Sequence, residues 1–150
     1  MPKKFLALAL VAGLLAAPAR DLAKKSDAED VKATLTAMWA AIERGDSADY
    51  ARHVHPAFTQ FGENDTYLAS GRDLELRNMG RYLRRAKDLH TEMHQAEVTV
   101  RGEVAWIIYY WTDGGYVDGK PFGSRGKSTR IFVKENGRWL CIHGHYTAVP

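Results

Sequence analysis

His143 and His145 stand two apart in the run Arg130–Pro150, RIFVKENGRWLCIHGHYTAVP, near the end of a 150-residue chain. On a strand this spacing puts both imidazoles on one face and Ile142, Gly144 and Tyr146 on the other. Imidazole ionises near neutral pH, which suits it to proton transfer. Arg130 enters an apolar run, Ile131, Phe132 and Val133. A guanidinium inside a sheet is costly unless it is paired or used. Two uses are open. It can anchor a buried carboxylate such as Glu75, since its planar fork favours bidentate pairs, or it can hold an anionic substrate.

His53 and His55 flank the exit of a short helix, where they are either packed or solvated histidines or, for His55, an acid–base group. Trp39, Tyr50, Tyr67 and Tyr109 are either core aromatics or, taken together, a flat lining for a ligand. Six histidines raise the question of a metal. His53-x-His55, His143-x-His145 and His90-x-x-x-His94 each supply two imidazoles, whereas zinc or copper needs three or four converging ligands. No H-E-x-x-H or cysteine pair forces convergence, so no metal is expected. No glycine-rich dinucleotide fingerprint follows a strand and no nucleophile-elbow serine is present. No cofactor is expected either. Cys141, the one cysteine, reads as a small buried hydrophobe.

The other end of the chain carries an address. Lys3 and Lys4 precede an apolar core of about eleven residues from Phe5 to Leu15, and Ala17-Pro18-Ala19 is an A-x-A cleavage signature. Residues 1–19 therefore read as a secretory signal peptide, with residues 20–150 as one periplasmic or secreted domain. A membrane span would need roughly 20 apolar residues, so no membrane is expected after cleavage. Removing this leader takes two lysines from 21 basic residues and none from 18 acidic ones, leaving 19 against 18. That near-balance gives no basis for nucleic acid. The arginines at 72, 77, 81, 84 and 85 are interleaved with Asp73, Glu75 and Asp88, as on a solvated helix face.

The elements that must position these groups follow from periodicity and punctuation. Ser26 or Asp27 can cap a helix to about Arg44, with Val31, Leu35, Met38, Trp39 and Ile42 at helical spacing. A short helix runs through Tyr50 to about His53, and short strands are expected at Ala57–Phe61 and Tyr67–Ser70. A third helix spans Arg72 to about Lys87. Longer strands follow at Glu92–Arg101, Val104–Asp113, Ser124–Lys134 and Arg138–Thr147, the last two joined by a hairpin turn at Glu135-Asn136-Gly137. Gly114–Gly123 reads as a mobile hairpin loop. Helices first and an antiparallel meander last imply α+β, with about three helices over the concave face of a curved, cone-shaped antiparallel sheet. The mouth of such a cone is a natural small-molecule site.

Several residues carry a resemblance. Trp39 with Gly45-Asp46, His55-Pro56 with Phe58, Gly71 with Asp73, His90-Thr91, and Gly102 with Ala105 make the chain similar to the nuclear transport factor 2-like superfamily, also called SnoaL-like or ketosteroid-isomerase-like. Its ending, with Thr129-Arg130, Gly137-Arg138-Trp139 and His143-Gly144-His145, resembles the association domain of calcium/calmodulin-dependent kinase II. The resemblance implies that Arg130 points into the cavity, with Phe132 following by parity. Ile107, Tyr109 and Trp111 would join from one neighbouring strand, and Ile142, Gly144 and Tyr146 from the other. His143 and His145 would then face away, beside Trp139 and Cys141, unless a bulge reverses the register. His55 would sit near the cavity mouth. The expected function is binding of a small aromatic or carboxylate-bearing compound, with cofactor-independent acid–base chemistry of the isomerase, cyclase, dehydratase or lyase kind. His55 would transfer the proton, Tyr109 or Tyr146 would donate a hydrogen bond, and Arg130 would stabilise negative charge. Trp39, Tyr50, Tyr67, Glu75, Trp111, Phe132 and Gly144 would contact the ligand. The alternative is a non-catalytic binding or assembly module. The outward sheet face, with Trp106, Ile108, Tyr110, Ile131 and Val133, is expected to pair two copies in a homodimer.

Overall fold

The computed structural model describes residues 26–63 and 65–150; the signal-peptide reading of residues 1–19 lies outside them. Helix α1, Asp27–Glu43, begins at a capping box in which Ser26 and Glu29 satisfy each other's backbone donors. Its face Val31, Leu35, Met38 and Ala41 is buried. Asp27 also accepts from Lys134 Nζ at 2.5 Å and from the Trp139 indole at 3.3 Å, pinning the helix start to the sheet. Helix α2, Ser47–Ala51, is capped by Asp46 and buries Tyr50. Helix α3, Arg72–Leu83, follows Gly71, whose φ of 92° suits glycine. Among the described residues, no helix is long and apolar enough to cross a membrane.

One curved, unclosed sheet holds everything together, built of six strands: β1 Val54–Phe61, β2 Ala69–Ser70, β3 Ala86–Arg101, β4 Val104–Val117, β5 Lys120–Glu135 and β6 Arg138–Ala148. Their order across the sheet is β2-β1-β6-β5-β4-β3. The pairings are antiparallel except for β1 with β6, which run parallel. The fold is thus the expected α+β arrangement, with one parallel pair that a meander does not contain. Val31, Leu35, Met38, Val54, Phe58, Ala105, Ile107, Phe132 and Cys141 form the core between helices and sheet.

Three departures from the sequence reading have local causes. The segment Gly114–Gly123 is not a loop. β4 and β5 continue through it, with Gly114 opposite Gly123 and Tyr116 opposite Pro121. The turn is Asp118-Gly119, with φ of 51° and 75°, the left-handed pair that a two-residue hairpin demands. Second, α3 ends at Leu83 and β3 begins at Ala86, where helix was expected to Lys87 and strand only from Glu92. β3 carries an extra residue at each of two register shifts, Lys87/His90 and His94/Glu97. Asp88 and Gln95 sit in those intervals at φ of 51° and 49°, and such bulges bend a strand. Third, Ile131 pairs with His143 but Phe132 pairs with Cys141, so Ile142 is bulged out of register. The bulge flips parity along β6. Trp139 and Cys141 therefore face the core, buried, rather than lying beside His143 and His145.

Candidate functional site

Between the concave sheet face and the helices lies a cavity of about 620 Å³. Trp39 and Ile42 from α1 line it, with Tyr50 from α2, Glu75 and Met79 from α3, and Gln60 from β1. The long strands contribute Tyr109 and Trp111, Ser128 and Arg130, and Tyr146. Alternation explains the set: 109 and 111, 128 and 130, and 144 and 146 are same-face positions on adjoining strands.

Arg130 is the charged centre of this wall. Its Nη1 donates to Gln60 Oε1 at 3.1 Å. Gly144, its partner across the ladder, supplies the space, because a Cβ there would run into the guanidinium itself. The Nε is shielded from solvent and has no hydrogen-bond partner. No carboxylate forms an ion pair with Arg130 among the described residues. The guanidinium keeps its charge throughout the physiological range.

Glu75 could have been the anchor for Arg130, but it is otherwise engaged. The Tyr50 hydroxyl donates to Glu75 Oε1 at 2.7 Å, and both side chains are buried. Burial, and then the Glu75 carboxylate, push the Tyr50 hydroxyl well above its ordinary pKa, so it stays a donor. Tyr146 is also raised, by burial first and then by Asp65. Cys141 is pushed up to about 11 by burial, which leaves it an inert thiol.

The structure brings together Trp39, Tyr50, Glu75, Tyr109, Trp111, Arg130 and Tyr146 on the cavity wall, with Gly144 under the guanidinium. Five expected residues lie elsewhere, and one of them, Ile107, is sealed in the core. Tyr67 is 85% exposed beside β2, and Phe132 is sealed in the core. His55 lies at the opposite end of the sheet from the mouth. Its Nε2 meets Glu135 Oε1 at 3.1 Å beside the β5–β6 turn, and its Nδ1 accepts from the Ala57 amide at 3.0 Å. The mouth instead opens between the β1–β2 segment and the β4–β5 end, where Asp65, Asp113, Val117 and Phe122 stand. Ile142, bulged out of register, does not line the cavity.

Sequence reasoning missed Gln60, although it sits two residues after buried Phe58 and so shares its inward face. It also missed Ser128, which shares Arg130's parity. His143 faces outward, its Nδ1 2.8 Å from Thr59 Oγ1, with burial and then Arg130 lowering its pKa. Among the described residues no three His, Cys, Asp or Glu side chains converge on a metal-sized point.

The calcium/calmodulin-dependent protein kinase type II of Caenorhabditis briggsae is 26% identical over 132 residues, covering 85% of this chain but only 24% of the kinase. The chain spans 9% of the corresponding Caenorhabditis elegans kinase, at 29% identity over 68 residues. A crystallised dehydratase candidate of the NTF2-like family from Streptomyces avermitilis superposes with a TM-score of 0.76 at 20% identity, over 83% of this chain and 96% of that one. The S. rosetta kinase II hub superposes at 0.73 with 22% identity, over 84% and 99%. These likenesses establish an NTF2-like fold. Residues 31–150 match the SnoaL-like domain, and the chain belongs to that family.

Proposed function

We propose that the protein binds a small, carboxylate-bearing organic molecule in the cavity, with Arg130 as the partner of the carboxylate. The carrying observation is the half-buried guanidinium of Arg130 on the cavity wall, to which the protein gives a neutral amide and, among the described residues, no counterion. Charges taken out of water are normally paired. A ligand carboxylate supplies the missing partner, and Trp39, Trp111 and Tyr109 offer apolar walls for its body. A thermal-shift comparison of benzoates with the matching benzamides tests this, because a ligand of the folded state raises its melting temperature. The acids should stabilise and the amides should not. Arg130→Ala should abolish the difference and Arg130→Lys restore it in part, since lysine lacks the planar fork. Equal shifts for acid and amide would refute the reading.

One observation favours a catalytic version of the same site. Glu75 lines the cavity with Tyr50 as its donor, so a proton acceptor and a guanidinium address one space. In this reading Glu75 takes the proton-transfer role for which His55 was expected, Tyr109 or Tyr146 donates a hydrogen bond, and Arg130 stabilises developing negative charge. The reaction would be of the isomerase, cyclase, dehydratase or lyase kind. Loss of turnover in Glu75→Gln with ligand affinity kept would support it.

The assembly we propose is a homodimer of about 29 kDa, from roughly 110 Da per residue in two mature chains. Val104, Trp106, Ile108 and Tyr110 stand 36–48% exposed on the outer sheet face, an apolar surface that a second copy would cover through a two-fold axis. The hub and association domains whose fold it shares are named for assembly. Export completes the proposal: amino-terminal sequencing of protein from the periplasm or medium should begin at Arg20.

A further inference from the structure

The charges around the cavity are lopsided. Its walls and mouth hold four carboxyl side chains, Glu63, Asp65, Glu75 and Asp113, against the single guanidinium of Arg130. Their placement is ordered. Arg130 lies inward and pairs with Gly144 across the ladder, whereas Tyr146, two residues further along β6, pairs with Ser128. A two-residue step along a strand is about 7 Å. At that outer position the Tyr146 hydroxyl and Asp65 Oδ2 flank Gly62, since a Cβ on Gly62 would lie 3.0 Å from the first and 2.7 Å from the second. Asp65 is held there by the Gly62 amide, which donates to Oδ2 at 2.8 Å. Among the described residues no lysine, histidine or second arginine lines the cavity, so no cationic side chain there answers these outer carboxylates.

A simple anion approaching Arg130 would pass this acidic rim, and like charge against like charge discriminates against it. A molecule carrying an ammonium at its other end would turn the rim from a barrier into a second anchor. We infer that the cavity selects amino-carboxylates: a carboxylate on Arg130, an apolar or aromatic spacer between Trp39 and Trp111, and a protonated amine at Asp65 with Glu63 and Tyr146. This rests on the proposal that Arg130 receives a carboxylate, and it adds Asp65 and Glu63 as specificity-determining residues. The Tyr146 phenol, which burial and Asp65 keep protonated, leaves its oxygen lone pairs open to an ammonium donor.

Three probes built on one benzene ring separate the contributions in calorimetric titrations of the wild-type protein: 4-methylbenzoate, benzylamine and 4-(aminomethyl)benzoate. The amino acid should bind at least about tenfold more tightly than 4-methylbenzoate, about 1.4 kcal/mol, with benzylamine weaker than both. Asp65→Asn keeps an oxygen for the Gly62 amide. It should bring 4-(aminomethyl)benzoate to the level of 4-methylbenzoate while leaving 4-methylbenzoate as tight or tighter. Glu63→Gln gives the same test by a second route should Asp65→Asn fail to fold. If 4-methylbenzoate bound wild type as well as the amino acid did, the amine end would be refuted and the Arg130 reading would stand. If neither acid bound, both would fall. Binding of 4-(aminomethyl)benzoate that survived Arg130→Ala unchanged would also overturn the two-ended arrangement.

Discussion

At the scale of single residues, the account turns on small groups that make room for large ones. Gly144 is glycine because Arg130's guanidinium occupies the space of its Cβ. Gly144→Ala should fold, since the far end of a flexible side chain can yield, but the displaced guanidinium should cost carboxylate affinity by about ten- to a hundredfold by titration. Tyr50→Phe leaves Glu75 buried without its donor and should lower unfolding free energy by about 1–3 kcal/mol in a denaturant titration. Cys141, buried and pushed up to about 11, should resist iodoacetamide at pH 8 in the native protein and react fully once unfolded. Arg130's inward direction came from the resemblance of Thr129-Arg130 to the association domain, because alternation puts Arg130 with Phe132 but leaves open which face is inward. Gln60 was legible in principle by the same two-residue step from Phe58. His55 was misplaced for a geometric reason. The cavity opens at the far end of β1, and no residue near Pro56 records which end of the sheet is the mouth.

At the scale of elements, the start of α1 and the β5–β6 turn were readable because Ser26 and Asn136-Gly137 carry them directly, whereas the end of α3 has no such signal. Asp118-Gly119 carried the same turn signal but was hidden among Gly114, Gly115 and Gly123, whose density suggested a loop. The strands persist there because main-chain pairing needs no side chains, and Tyr116, Val117 and Phe122 supply enough bulk to hold the ladder. Gly119 has φ of 75° and open space where a Cβ would stand. Gly119→Ala should therefore cost only backbone strain, about 1 kcal/mol, and leave ligand binding unchanged. The β6 bulge was not readable. It costs one residue and leaves no compositional mark, yet it sends Trp139 and Cys141 inward while His143 and His145 face out. The parallel β1–β6 pairing escaped for a similar reason, since it joins segments some eighty residues apart and depends on how the sheet curls.

At the scale of the whole molecule, the sheet has one face on the helices and cavity and the other bare, with Trp106, Ile108 and Tyr110 exposed. Light scattering at micromolar concentration and neutral pH should give a dimer. His143 and His53 are both held below their ordinary pKa, chiefly by burial. A depressed histidine favours the fold above its unfolded value near 6.5, and that contribution is lost as pH falls through the folded value. Melting temperature should therefore drop below about pH 6.5. The dimer should loosen in the same range, as His143 on the outer face of each copy becomes charged. His143→Gln should flatten the dimer profile and reduce the fall in melting temperature, with His53 supplying the remainder. The central claim, a carboxylate on Arg130, is tested most directly by a crystal structure of the protein with 4-(aminomethyl)benzoate. The account predicts a carboxylate oxygen accepting from the cavity-facing side of the Arg130 guanidinium at about 2.8 Å, with the ring between Trp39 and Trp111. A ligand seated on the outer sheet face, or one in the cavity whose carboxylate makes no contact with the guanidinium, would contradict it.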